Sequence, residues 1–168
     1  MSIKILLTGG TIDKSYNESN GELNFTKTHI PELFELGRNR ADINIEKLML
    51  KDSLQMDDAD RQDILRTCIK TNEDKIIITH GTDTMVETAN VLGKAVVDQK
   101  LNKTMVLVGA MVPFVFKHSD AIFNMGFALA SVQTLEHGVY ITMNGKVFDW
   151  NKVEKNRELG VFDNREKK

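Results

Sequence analysis

This sequence predicts an α/β domain in which helices cover both faces of a mostly parallel, doubly wound sheet. Three observations carry that prediction. Short apolar runs rich in Ile, Val and Leu alternate with segments of helical period about five times along the chain. Some runs lack polar alternation, as strands buried on both faces must; Ile76, Ile77 and Ile78 are consecutive. Several runs end in turns of Thr, Ser, Gly and Asp, and ligands of open α/β sheets sit off such strand ends.

The first run, Ile3 to Leu7, stops at Thr8-Gly9-Gly10-Thr11. A glycine pair lets the chain turn sharply and leaves backbone N–H groups facing outward, with the Thr11 hydroxyl toward the crevice. Residues 13–28 have neither helical nor strand period and read as a loop, long enough to act as a lid. Pro31 opens a short helix over Glu32 to Leu36. A second strand, Ile43 to Leu50, delivers Lys51, Asp52 and Ser53 at its tip. Asp57 and Asp58 give an acidic start to a helix carrying Ile64, Leu65, Cys68 and Ile69. The third strand, Lys75 to Thr79, runs into His80-Gly81-Thr82-Asp83-Thr84 and a helix from about Met85 to Val97.

Met105 to Val108 is the fourth strand, ending at Gly109-Ala110-Met111. Ser119 and Asp120 are expected to cap a helix through Phe123, Met125, Leu129 and Val132 that ends near Gly138. Val139 to Met143 is the fifth strand, followed by a short extended piece around Val147 and Phe148. The tail from Lys152 to Lys168 is charged and lacks a strong period. Right-handed crossovers place the carboxyl ends of the strands on one side. Four polar turns then converge: Thr8 to Thr11, Ser53 to Gln55, Thr79 to Asp83 and Gly109 to Met111. The architecture is three-layered and flavodoxin- or Rossmann-like, in a single domain.

The bulk numbers exclude several function classes. With 168 residues the chain is one domain by length and can bury a substantial core. Twenty-two Lys plus Arg nearly cancel 24 Asp plus Glu, which leaves no electrostatic footprint for nucleic acid or an anionic membrane. No apolar run approaches the roughly 20 residues of a membrane span, and Ile3 to Leu7 is too short for a signal-peptide core. The single cysteine, Cys68, allows no internal disulfide and fits a reducing cytoplasm. Its expected place is the apolar face of a helix. The eight methionines read as core filling.

Two threonine-glycine turns at buried strand tips suggest chemistry. A threonine hydroxyl is a weak nucleophile and needs a base or a group that lowers the cost of losing its proton. Asp83 beside Thr82, with a lysine nearby, would supply one, and glycine N–H groups would hold an oxyanion. Thr82 and Asp83 also read as plain caps of the following helix, a role compatible with the first. His80, between the isoleucine strand and a glycine, reads as structural. His29, His118 and His137 form no ligand spacing with the cysteine, so no metal is predicted. The turns are not G-x-G-x-x-G and lack a phosphate-loop lysine, which argues against a nucleotide; no cofactor is expected.

T-G-G-T-I at Thr8 to Ile12, with I-T-H-G-T-D-T-M at Ile78 to Met85, resembles the bacterial-type L-asparaginase family. V-L-V-G-A-M at Val106 to Met111, D-x-x-F-N at Asp120 to Asn124 and M-N-G-K-V-F-D at Met143 to Asp149 follow in that family's order. The resemblance implies hydrolysis of the side-chain amide of asparagine, or of a related small amide, to acid and ammonia through a threonine acyl-enzyme. It implies Thr11 as nucleophile, Thr82, Asp83 and Lys155 as the proton-handling group, and Tyr16 as the lid tyrosine. Gly10, Ser53, Gln55, Gly81 and Ala110 are the implied substrate contacts, with Asp83 pairing an α-ammonium.

Three departures accompany the likeness. Family members usually run to twice this length, so the expectation is an asparaginase N-terminal-type domain over 1–168 without the C-terminal domain. Leu54 stands where the family places a polar residue, and Val112 where G-A-M is followed by arginine. The expectation is an amidohydrolase with a small-molecule substrate and no nucleic acid or membrane partner, self-associating as a dimer or larger. The alternative is an amino-acid or amide binding module that keeps the pocket without turnover, or a subunit needing a partner.

Overall fold

The computed structural model describes residues 2–165. Strand β1 (Ile3–Gly9) is followed by a small hairpin of β2 (Ser15–Tyr16) and β3 (Leu23–Asn24), then helix α1 (Ile30–Leu36). Next come β4 (Ile43–Lys51), α2 (Asp58–Lys70), β5 (Lys75–Thr79) and α3 (Met85–Gln99). The chain continues through β6 (Thr104–Val108), α4 (Ala121–Thr134), β7 (Gly138–Met143) and β8 (Lys146–Asp149), and then the hairpin β9 (Val153–Asn156) and β10 (Val161–Asn164).

Six strands make one sheet in the order β4-β1-β5-β6-β7-β8. The first five are parallel, and β8 adds an antiparallel edge against β7. The chain winds outward from β1 in both directions, so the order reverses between β1 and β5, where open α/β sheets hold ligands. Period-two alternation divides the core. Leu6, Ile76, Ile78, Leu107 and Ile141 face α2, α3 and the β9–β10 hairpin, whereas Ile3, Ile5, Leu7, Ile77 and Val106 face α1 and α4.

Several boundaries differ from the sequence reading, each for a local reason. Residues 13–28 contain the β2–β3 hairpin, a ribbon too short to show a period. Within the charged tail Val153–Asn156 and Val161–Asn164 pair as β9–β10, and the sequence shows no period there because, among the described residues of the tail, only Val153 and Phe162 are buried; residues 166–168 lie outside the described residues. Helix α4 ends at Thr134, and Gly138 starts β7 instead of closing the helix. Asp120 does not cap α4; Ser119 Oγ accepts from the Ala121 N–H, while the Asp120 carboxylate accepts from the Met111 and Val112 N–H groups. Asp57 does cap α2, in a reciprocal capping box with Asp60. Cys68 is buried on α2, and burial pushes its thiol up to about 12, which leaves it inert.

Candidate active site

The turn after β1 needs its glycines. Gly9 and Gly10 have φ of 104° and 88°, and a β-carbon on Gly10 would lie 2.4 Å from the Gly81 backbone nitrogen. Gly81 in turn lies against Ser53: a β-carbon there would sit 2.5 Å from Ser53 Oγ. A β-carbon on Gly109 would sit 2.4 Å from the His80 carbonyl oxygen. Backbone approach this close is what brings the tips of β1, β4, β5 and β6 to one rim. The Gly10 N–H donates to the Lys51 carbonyl at 3.0 Å, and the Thr84 hydroxyl donates to the Ser53 carbonyl at 2.8 Å.

Lys155 arrives from β9. Its Nζ donates to Thr82 Oγ1 and to Asp83 Oδ1, each at 2.8 Å. The lysine side chain is 13% exposed and the aspartate 36%, so the pair lies at the edge of solvent. Thr82 itself is buried, and its hydroxyl turns toward the Met111 sulfur at 3.8 Å. Neither Thr82 nor Asp83 caps α3, which has Thr84 at its N-cap position and no side-chain cap. Both side chains are spent on the lysine instead.

Thr11 opens a single 3-10 turn, Thr11–Asp13, beside Gly10. Among the described residues its half-buried hydroxyl makes no hydrogen bond, so it is unengaged at the switch point. Ser53 and Ala110 are buried at the same rim. Gln55 and Tyr16 are not drawn into the cluster. Gln55 is exposed on the turn after β4, and the Tyr16 ring, 51% exposed, lies 6.3 Å from the Phe116 ring.

His80 is fully buried with both ring nitrogens occupied. Nδ1 is 2.8 Å from the Gly81 carbonyl, which can only accept, so Nδ1 carries the proton and Nε2, at 2.7 Å, accepts from the Thr88 hydroxyl. Burial lowers its pKa to about 4, keeping the ring neutral. The sequence reading assigned no role to Asn124, which donates to the Gly109 carbonyl at 3.0 Å and to Asp120 at 2.8 Å. It also accepts from the Asn144 N–H at 3.3 Å. Its spacing of four from Asp120, the residue just before α4, is the available signal. Arg157, also missed, donates to the Asp83 carbonyl at 3.4 Å.

The family described as Asparaginase, N-terminal matches residues 2–164. The chain belongs to that family. L-asparaginase 2 of Escherichia coli is 34% identical over 95% of this chain. One component of the glutamyl-tRNA(Gln) amidotransferase of Methanococcus vannielii is 31% identical over 88% of it. The thermostable L-asparaginase from Thermococcus kodakarensis superposes over 98% of this chain with a TM-score of 0.84 and 29% identity. The chain covers 48%, 35% and 51% of these relatives respectively, about half or less of their length. The fold is thus that of the asparaginase N-terminal domain. Among the described residues no helix is long and apolar enough to cross a membrane.

Proposed function

We propose that this chain is an amidohydrolase that cleaves the side-chain amide of asparagine, or of a related small amide, to acid and ammonia. The observation that carries the reading is Lys155 Nζ at 2.8 Å from both Thr82 Oγ1 and Asp83 Oδ1, across more than 70 residues of sequence. A cation at that distance lowers the cost of removing the Thr82 proton, and the carboxylate holds the cation in place. The weak Met111 acceptor leaves the Thr82 hydrogen free for an incoming group.

In this reading Thr11 Oγ attacks the amide carbon and the backbone N–H groups of the glycine turns hold the oxyanion. The Thr11 proton passes by way of the Thr82–Lys155 group to the amide nitrogen, whose bond to carbon breaks as the acyl-threonine forms and ammonia leaves. A water held at Thr82–Lys155 then adds to the acyl carbon and returns a proton to Thr11 Oγ, releasing the acid. Ser53 and the Gly81 turn hold the substrate carboxylate, and Asp83 receives its ammonium. Gly10 and Ala110 line the same rim. Tyr16 and Gln55 keep their proposed roles only if substrate draws them inward. The proposal includes assembly as a dimer or larger and residence in the cytoplasm.

Ammonia release from asparagine, glutamine and simple amides tests the reading, with Thr11→Ala and Lys155→Met beside the wild type. Turnover in the wild type that falls at least about 100-fold in both variants supports it. Equal background in all three proteins removes it. A second reading, a small-molecule binding module, is favoured by Leu54, 66% exposed beside Ser53 where a polar contact to substrate is wanted. It predicts ligand-induced stabilisation without ammonia. The amidotransferase relative adds a variant of the first reading, in which turnover needs a partner chain; co-purification from the source cell tests that variant.

A further inference from the structure

The 3-10 turn carrying Thr11 ends in a carboxylate that has no exposed surface. Asp13 Oδ1 accepts from the Thr28 hydroxyl at 3.0 Å and from the His29 N–H at 2.8 Å, while Oδ2 has no partner among the described residues. Among those residues no cation pairs with it: the adjacent Lys14 goes to Asp52 at 2.6 Å. Burial accordingly raises its pKa, against the pull of those two hydrogen bonds and of His29. A neutral side chain could cap the start of α1 without that desolvation cost.

The surroundings show what Asp13 ties together. Ser15 Oγ is 2.7 Å from His29 Nε2 and 3.1 Å from Thr26 Oγ1, so the two ends of the 13–28 segment are joined by side chains at its base. The charged group facing His29 from α1 is Glu32, 3.8 Å from Nδ1. On its other side the turn is held by backbone: Gly10 N–H to Lys51 and, at 3.4 Å, the Phe114 N–H to the Ile12 carbonyl. Thr11 stands between these anchors with no hydrogen bond of its own to fix its hydroxyl.

We propose that Asp13 is a positioning residue for Thr11, clamping the turn to Thr28 and His29 so that the hydroxyl is held at the rim. This rests on the reading of Thr11 as nucleophile. The clamp acts on where the hydroxyl sits and not on substrate affinity, so its loss lowers kcat more than it changes KM.

The test combines ammonia-release kinetics with a threonine-methyl NMR spectrum in which Thr11 is assigned from Thr11→Ala. In Asp13→Ala the Thr11 methyl resonance shifts or broadens, and kcat falls about 10- to 100-fold with KM little changed. Thr28→Val, which removes one donor and leaves the carboxylate, moves the same resonance and serves if Asp13→Ala does not fold. Asp13→Asn keeps an acceptor at Oδ1 and recovers most of both signals. A Thr11 resonance unmoved in Asp13→Ala and Thr28→Val, with only the melting temperature reduced, assigns Asp13 to helix capping and overturns the proposal. Unchanged kcat in those variants overturns it as well. A wild type that releases no ammonia defeats the nucleophile reading instead, and the NMR arm still decides whether Asp13 fixes the turn.

Discussion

Thr82 accepts from Lys155 and, among the described residues, has only a thioether for its own hydrogen, so its hydroxyl contributes little to holding the fold. Thr82→Val keeps the shape and removes that hydroxyl. The expected result is a loss of about 100-fold or more in ammonia release, with a stability change near 1 kcal/mol, read by thermal denaturation. A large stability loss with little effect on turnover would make Thr82 structural. His80 gives the opposite case, a side chain spent wholly on structure. Its folded pKa, lowered to about 4 by burial, lies below the ordinary 6.5. The unfolded chain therefore binds the proton more readily, so stability is full above pH 6.5 and declines as pH falls toward 4. The loss is on the order of 3 kcal/mol, at about 1.4 kcal/mol per pKa unit. Melting temperatures of wild type and His80→Gln across pH 4 to 6.5 check this. The variant is less stable overall but has a flatter slope, and equal slopes would refute the assignment.

At the level of elements, the lysine is delivered by a ribbon that must be seated before it can aim. Val153 and Phe162 enter the core beside α3, and the Trp150 ring covers Gly93 so closely that a β-carbon there would lie 2.1 Å from Cδ2. Gly93→Ala is a helix-favouring change by propensity, yet it should cost about 1–3 kcal/mol by overpacking. It should also displace the chain's single tryptophan, visible in its fluorescence, and lower turnover through Lys155. An unchanged emission spectrum and melting temperature would count against the seating. The inner strands were readable because burial on both faces leaves unbroken apolar runs such as Ile76 to Ile78. The β9–β10 ribbon was not, since one buried residue per strand gives no period, and the β2–β3 hairpin has only two residues a side. Only the family resemblance therefore points to Lys155. Thr82 and Asp83 were legible as a turn, but spacing could not separate capping from pairing with a lysine over 70 residues away. Asp13 looked like loop polarity because its partners, Thr28 and His29, lie across a segment that showed no order.

For the molecule as a whole, the strand order places Thr11, Ser53 and Asp83 on three neighbouring tips, with Lys155 brought over them from the far end of the chain. A ligand touching all four would bridge groups that meet only in the folded state. It would bind the native protein and leave the unfolded chain untouched, raising stability by mass action. Aspartate, the expected product, is the probe of choice because it binds without being consumed. At a concentration near 100 times Kd the gain is about 2.7 kcal/mol, which for a domain of this size is roughly 5–10 °C in melting temperature. Lys155→Met and Ser53→Ala should each reduce the shift, by removing respectively the cation and the hydroxyl at the rim. Leu54 adds an apolar, 66% exposed surface to that rim where substrate polarity would otherwise be met. Leu54→Gln is accordingly expected to enlarge the shift. A shift that appears with aspartate and is absent with succinate, which lacks the α-ammonium, would identify Asp83 as the group reading the amine. Equal shifts with both would leave the carboxylates as the recognised feature and place Asp83 in service to Lys155 alone. No shift with either, up to millimolar concentrations, would mean that the four turns converge without forming a site for this class of ligand.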